Sequence, residues 1–193
     1  MPAAAAVDHV ALWRGINVGT AKRVGMADLR AVAAGLGLLE AATVLASGNL
    51  VVGVPADRVE GAAAALRTAV LAVTGVDAAV LVLSGDAFRA IAAANPLRAA
   101  ERVPARLSVA IAEVPGALAA TAPPAVDLGD EQLVVAADAV YQWLPAGVTG
   151  SRVPSAWWRT LPTTVTARND ATVRKIVALL DRRTVPDPGV SRA

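Results

Sequence analysis

The sequence lacks cysteine entirely and has a single histidine, His9, among its 193 residues. Without cysteine there is no disulfide, cysteine nucleophile, thiolate metal site or iron–sulfur cluster. One histidine also excludes a zinc site built from several imidazoles. We therefore predict no metal and no cofactor, and expect any site to use arginine, asparagine, serine and backbone N–H groups.

Aromatic residues are scarce at 3%, and charge of either sign is nearly balanced, at a formal net +2. That excess is small for a protein that neutralises nucleic-acid phosphates, so a nucleic-acid partner is disfavoured. The longest uncharged run, 41–56, is too short and too broken to span a membrane. No basic residue precedes the apolar N-terminal stretch, which does not resemble a signal peptide. We expect a cytoplasmic protein.

Alanine is what the sequence has in abundance, with 46 residues within an apolar fraction of 55%. The larger hydrophobic residues are still numerous enough for a globular core. The length suits one compact domain or two small subdomains.

Strand-like and helix-like segments alternate along the chain. Apolar runs rich in β-branched residues predict strands, and apolar residues three and four apart predict helices. The first half reads as strand 9–14, helix from 26 to about 36, strands 43–46 and 50–52, helix 57–73, strand 79–83 and a helix capped by Ser84. The second half reads as strand 106–112, a hairpin of 132–136 and 140–144, helix 154–160, extended 163–167 and helix 170–181.

This order predicts an α+β fold. A ferredoxin-like β-α-β-β-α-β unit would be followed by a second, diverged α+β unit. We predict a first subdomain at 1–95, a second at 96–183 packed on it, and a flexible tail at 184–193.

The first candidate site is the loop that follows the first strand, with Arg14, Gly15, Asn17 and Gly19. It contains no acidic residue, and flexible backbone N–H groups beside basic side chains favour anion binding. Its glycine spacing fits neither a Walker A loop nor G-x-G-x-x-G. A tight turn with solvated cations explains the same residues.

The second candidate is Ser47, Gly48 and Asn49, which alone predicts a hairpin turn. In the predicted topology the first two strands point the same way. The loop and the hairpin would then share one end of the sheet.

The third candidate is Arg168 with Asn169, directly before the last helix. Asn169 is a good N-cap, and Arg168 would join Arg14 in a two-guanidinium clamp for phosphate or carboxylate. A cap beside an exposed arginine is the alternative. The segment 150–152 is a weaker candidate, and the acidic cluster at Asp127, Asp130 and Glu131 is interpreted as a solvated loop.

The sequence resembles a bacterial family called domain of unknown function 1697 (DUF1697). The resemblance rests on R-G-I-N-V-G at 14–19, M-A-D-L-R at 26–30, S-G-N at 47–49 and T-A-R-N-x-x-T-V at 166–173. It covers about residues 8–182 and implies a ferredoxin-like α+β fold, a cytoplasmic protein and no assigned activity. Ala46 stands where the family has glutamine, and Asp170-Ala171 where it has Trp-Asn, which removes plausible ligand contacts.

Our leading hypothesis is a small anionic ligand bound at a rim of Arg14, Asn17, Ser47, Asn49, Arg168 and Asn169, with backbone N–H groups of 15–19. The alternative is a homodimeric interaction module whose helices and open sheet edges pair. A nucleic-acid binder is third. No pair of residues forms a recognisable acid, base or nucleophile, so we assign no reaction.

Overall fold

The computed structural model describes residues 6–19 and 22–184, which form a mixed α+β protein with two four-stranded antiparallel sheets. The first sheet contains β1 (Ala6–Trp13), β2 (Leu39–Thr43), β3 (Asn49–Pro55) and β4 (Val80–Ser84). The second contains β5 (Leu107–Ala112), β6 (Gln132–Val135), β7 (Ala139–Trp143) and β8 (Val165–Asn169). The helices are α1 (Met26–Gly35), α2 (Ala62–Thr74), α3 (Gly85–Ala93), α4 (Ser155–Arg159) and α5 (Asp170–Thr184).

The first sheet has the strand order β2-β3-β1-β4. Both β1 and β2 pair antiparallel with β3, so β1 and β2 point in the same direction, as the sequence pattern predicts. The segments that follow them therefore leave the sheet at one end. This geometry brings the loop after β1 beside the β2–β3 hairpin.

The second sheet has the order β6-β7-β5-β8, with every neighbouring pair antiparallel. The β6–β7 hairpin confirms the one predicted around residues 137–138. Because β5 lies between β7 and β8, a side chain on β5 has a directly opposed neighbour on each side. This register places side chains of β5, β7 and β8 next to each other on one face of the sheet.

Three apolar clusters follow from the alternation of side chains along the strands. Val10 and Leu12 face a central core that joins the two sheets to α3 and α5. Ala11 and Trp13 point the other way, into a core with α1 and α2. A third cluster on the outer face of the second sheet includes Leu118 and both tryptophans of α4. The two sheets therefore share one interior and each has a second covered face.

Two elements differ from the sequence pattern. β2 begins at Leu39, earlier than predicted, because a β-bulge and the positive φ of Glu40 (51°) break the alternation. The helix predicted at 57–73 starts only at Ala62, since Gly61 has a φ of 82° and separates it from a 3-10 turn at Ala56–Arg58. Ser84 caps α3 as predicted, through the N–H of Ala87.

The predicted tail begins inside α5, whose last residue is Thr184. Residues 185–193 lie outside the described part of the chain. Among the helices within residues 6–19 and 22–184, none combines the length and apolar character needed to cross a bilayer.

Candidate functional site

A cleft of about 1290 Å³ opens where the end of β1 meets the outer face of the second sheet. One wall is the loop after β1, with Arg14, Gly15, Ile16 and Val18, together with Ser47 of the hairpin. The opposite wall is the segment that carries α4. Strands β5, β7 and β8 contribute the floor. The cleft is therefore formed jointly by the two halves of the chain.

Asn17 shapes the loop wall. It has a φ of 56°, which asparagine tolerates better than most residues, and its side-chain oxygen accepts a hydrogen bond from the N–H of Val24 at 2.9 Å. Its amide group donates to the carbonyl oxygens of Val24 at 2.9 Å and Ala46 at 2.7 Å. Asn17 thus fastens the loop to the hairpin and lies outside the cleft lining.

Gly48 and Asn49 hold the hairpin against β1. Gly48 has a φ of 74°, and a Cβ there would lie 2.6 Å from Cδ1 of Ile16. Its carbonyl oxygen accepts a hydrogen bond from the N–H of Trp13 at 2.9 Å. Asn49 is fully buried and donates to the carbonyl oxygen of Val44 and to Ser47 Oγ. Both residues are therefore structural and do not line the cleft.

Arg168 connects the second sheet to this hairpin. It lies opposite Val109 of β5, so its side chain points to the face that meets the first sheet. Its Nε donates to Oδ1 of Asn49 at 2.5 Å. Its two Nη groups donate to the carbonyl oxygens of Trp13 (2.7 Å), Ala167 (2.8 Å), Gly48 (3.2 Å) and Ser47 (3.3 Å). This guanidinium group therefore joins the third candidate segment to the second, and to the last residue of β1, directly before the first candidate segment.

The charge of Arg168 has no carboxylate partner within residues 6–19 and 22–184. Within the described ranges, none of the salt bridges includes it, and all its acceptors are neutral oxygens. Burial lowers its pKa to about 10, because desolvation disfavours the charged form. The group still carries a positive charge at neutral pH. A partly buried charge of this kind favours an anion in the adjoining cleft.

Two further arginines line the cleft, Arg14 and Arg159. Arg14 is exposed, and its side chain makes no ion pair with any residue the structure describes. Arg159 is the last residue of α4, and its Nη1 donates a hydrogen bond to Ser155 Oγ at 3.3 Å. Among the described residues that line the cleft there is no aspartate or glutamate. The charged side chains that line the cleft are therefore all arginines.

A polar row crosses the floor of the cleft. Ser108 on β5 lies directly opposite Gln142 on β7 and Asn169 on β8, so the three side chains share one face. All three line the cleft. Asn169 also accepts a hydrogen bond from the N–H of Thr172 at 2.8 Å, which confirms it as the N-cap of α5. The row offers hydrogen bonds to a ligand on the floor.

Glu131 supports this row from behind, which corrects its interpretation as part of a solvated loop. It is buried, and its carboxylate accepts hydrogen bonds from Gln142 Nε2 (3.0 Å), Ser151 Oγ (2.8 Å) and the N–H of Arg152 (2.7 Å). Gln142 and Ser151 both line the cleft. Glu131 therefore fixes two lining side chains without itself facing the cleft.

The structure separates the predicted site residues into two groups. Those that line the cleft are Arg14, Gly15, Ser47, Arg168 and Asn169. Those that do not, and that shape the loops behind it, are Asn17, Gly19, Gly48 and Asn49. The predicted two-guanidinium clamp is also altered, because protein oxygens occupy most of the N–H groups of Arg168. Arg159 and Trp158 also line the cleft and are not among the predicted site residues.

Comparison with known proteins supports the sequence resemblance. Residues 7–141 match the model of a family described as "Protein of unknown function (DUF1697)". The match ends before the segment with Arg168, whose place beside the others rests on the structure. Among solved structures, the chain is similar to the conserved bacterial protein SP0830 from Streptococcus pneumoniae. The TM-score is 0.65 and the identity 24%, over 91% of this chain and 99% of that one. That likeness shows a shared fold. No curated protein matches the sequence.

Proposed function

The chain belongs to the DUF1697 family of proteins of unknown function, and we propose that it binds a small ligand bearing a phosphate or carboxylate group in the cleft. The observation that carries the proposal is the charge of the lining. Three arginines face or adjoin the cleft, and none of its described lining residues is acidic. Guanidinium groups are the side chains best suited to phosphate and carboxylate.

The three arginines take different parts in this proposal. Arg14 and Arg159 are exposed, and the residues that the structure describes accept from them only at Ser155 Oγ, which leaves N–H groups of both for direct hydrogen bonds to the anion. Arg168 contributes a charge that no described carboxylate pairs with, and it holds the loop wall in place. Ser108 and Gln142 on the floor orient the rest of the ligand. The polar side chains that sequence reasoning assigned to the anion, Asn17 and Asn49, position the walls.

Titration calorimetry with inorganic pyrophosphate tests the proposal. We expect binding to the full-length protein, and a loss of about 10- to 100-fold in affinity for Arg14→Ala and for Arg159→Ala. Each charged hydrogen-bonding group lost costs about 1.5–3 kcal/mol. Both positions are exposed, so circular dichroism and the Tm of each variant should match the parent protein.

Arg182→Ala is the matched control, since it removes the same charge from the far end of α5. Arg182 lies 13 residues beyond Asn169 on that helix, about 20 Å away along its axis. Its affinity for pyrophosphate should stay within twofold of the parent. No binding at millimolar pyrophosphate, or equal weakening in Arg182→Ala and Arg14→Ala, would show that the cleft is not an anion site.

A related proposal concerns the division of the chain into two subdomains. The order β2-β3-β1-β4 with α1 and α2 on one face supports a ferredoxin-like unit within residues 1–95, and the second sheet supports a separate unit at 96–183. On this view the cleft lies at the junction of two subdomains, a common position for ligand sites.

A further inference from the structure

The cleft is much larger than an isolated phosphate group requires. Its volume of about 1290 Å³ exceeds the roughly 300–1,000 Å³ typical of pockets for drug-sized molecules. The arginines occupy only part of the lining. Partly exposed apolar side chains supply much of the remainder, including Trp158, Leu161 and Val165. A simple inorganic anion would leave this apolar surface in contact with water.

The rim of the cleft adds a second observation. Val148 is 78% exposed and Val18 is 72% exposed, and these are the two most exposed large hydrophobic residues in the described part of the chain. Both line the cleft, Val18 from the loop after β1 and Val148 from the 3-10 turn at Val148–Gly150. The two most exposed apolar side chains of the described residues thus stand on opposite walls of a cleft whose charged lining side chains are all arginines. Single exposed valines need no explanation, but a pair at one opening marks a surface that a ligand can cover.

Trp158 provides an aromatic surface within the same cleft. It is half-buried, and its ring stands at 75° to that of Trp157, with 4.9 Å between the centroids. Trp157 donates its indole N–H to the carbonyl oxygen of Ala122, which fixes the pair on the outer face of the sheet. Trp158 is therefore held in position before any ligand arrives, which lowers the entropic cost of binding against it.

We infer that the ligand is an amphiphilic organic anion: a phosphate or carboxylate attached to an aromatic or otherwise apolar group. The anion lies at Arg14 and Arg159, and the apolar group lies against Trp158 between Val18 and Val148. This inference rests on the proposed function, because it concerns the same cleft. It goes further by excluding inorganic phosphate and highly polar sugar phosphates as the preferred ligands.

Calorimetry with paired probes tests it, using 1-naphthyl phosphate and inorganic phosphate on the full-length protein. We expect 1-naphthyl phosphate to bind at least tenfold more tightly, because it buries apolar surface that phosphate cannot. Val18→Ser and Val148→Ser should each weaken 1-naphthyl phosphate roughly three- to tenfold and leave inorganic phosphate within twofold. Arg14→Ala should weaken both probes. Val73→Ser is the matched control, since Val73 is 63% exposed on α2 and lies outside the cleft.

Each outcome has a distinct meaning. Equal affinity for the two probes, or no effect of either rim substitution on 1-naphthyl phosphate, overturns the inference and leaves the anion site standing. Binding of 1-naphthyl phosphate that Arg14→Ala does not weaken overturns it too, because the site would then be merely apolar. If neither probe binds, the proposed anion site fails and the inference fails with it.

Discussion

The guanidinium of Arg168 on β8 donates a hydrogen bond to the side-chain oxygen of Asn49 on β3, 119 residues earlier in the chain, at 2.5 Å. The same guanidinium reaches the carbonyl oxygens of Trp13, Ser47 and Gly48. A single side chain of the second sheet therefore holds the end of β1 and the hairpin of the first sheet. The walls of the cleft depend on this contact, so its energetics can be tested apart from any ligand.

Replacing Arg168 by alanine should lower the free energy of unfolding by about 2–4 kcal/mol, since several hydrogen bonds to a charged group disappear. Arg168→Lys should still lose about 1–3 kcal/mol, because a compact ammonium group cannot reproduce the planar fork that reaches Asn49 and Ala167 together. Urea unfolding measures both variants, with Arg182→Ala expected within about 0.5 kcal/mol of the parent. A lysine variant as stable as the parent would mean that a positive charge at position 168 holds the first sheet without the planar guanidinium geometry.

Gly48 is predicted to be far less tolerant of a side chain than Gly19, although both have positive φ. A Cβ at Gly48 meets Ile16 Cδ1 at 2.6 Å, whereas a Cβ at Gly19 meets no atom of the described residues within 4 Å. Gly19→Ala should cost about 1–2 kcal/mol from backbone strain alone. Gly48→Ala should cost the same backbone strain and a further 1–3 kcal/mol, about the usual cost of overpacking. Thermal unfolding of both variants checks this difference, and equal costs would show that Ile16 moves aside freely.

The fold was largely predictable from the sequence because its signals are local. Apolar periodicity identifies α2 and α5, and Ser84 and Asn169 both act as the predicted N-caps. The shared direction of β1 and β2 follows from element order alone. The bulge in β2 was not predictable, because it depends on Glu40 adopting a positive φ beside its partner strand.

The site was predictable only in part, since its contacts join residues distant in sequence. The polar residues of the loop and hairpin were recognised, but their roles depend on which oxygens surround them once the sheets pack. Asn49 looks like a ligand-binding residue until its burial against Arg168 is known. Arg159 gave no signal, because it is one exposed arginine on a short helix. The burial of Glu131 is not predictable from the sequence, because its partners Gln142 and Ser151 are 11 and 20 residues away.

Asp170 gives a prediction about the base of α5. It is fully buried, and its carboxylate accepts hydrogen bonds from Arg98 at 2.6 Å and from Arg174 at 2.7 Å. Asp170→Asn should cost about 3–5 kcal/mol, because it leaves two guanidinium groups without their counter-charge. Arg174→Ala, which removes the more exposed partner, should cost no more than about 1 kcal/mol. If urea unfolding gave similar losses of unfolding free energy for the two variants, Asp170 would not be the buried centre of the ion pairs.

The lowered pKa of Arg168 gives the protein's anion affinity a defined dependence on pH. Burial moves that pKa to about 10, so the guanidinium stays charged from acidic to mildly alkaline pH and loses its proton as the pH rises through 10. A bound anion favours the charged form. The affinity for 1-naphthalenesulfonate, whose own charge is constant over this range, should be flat from about pH 6 to 8.5 and weaken several-fold by about pH 11.

Loss of the same proton from Arg168 raises the stability of the folded protein, whereas it lowers the affinity for the anion. In the unfolded chain Arg168 regains its ordinary, higher pKa and binds the proton more strongly, so its contribution to stability rises with pH above about 10. Weakened binding in that window is therefore not explained by unfolding at Arg168, and circular dichroism at each pH verifies that the protein is folded. Arg168→Gln should lack the alkaline decrease and bind more weakly throughout. A decrease of equal size in that variant would assign the titration to another group.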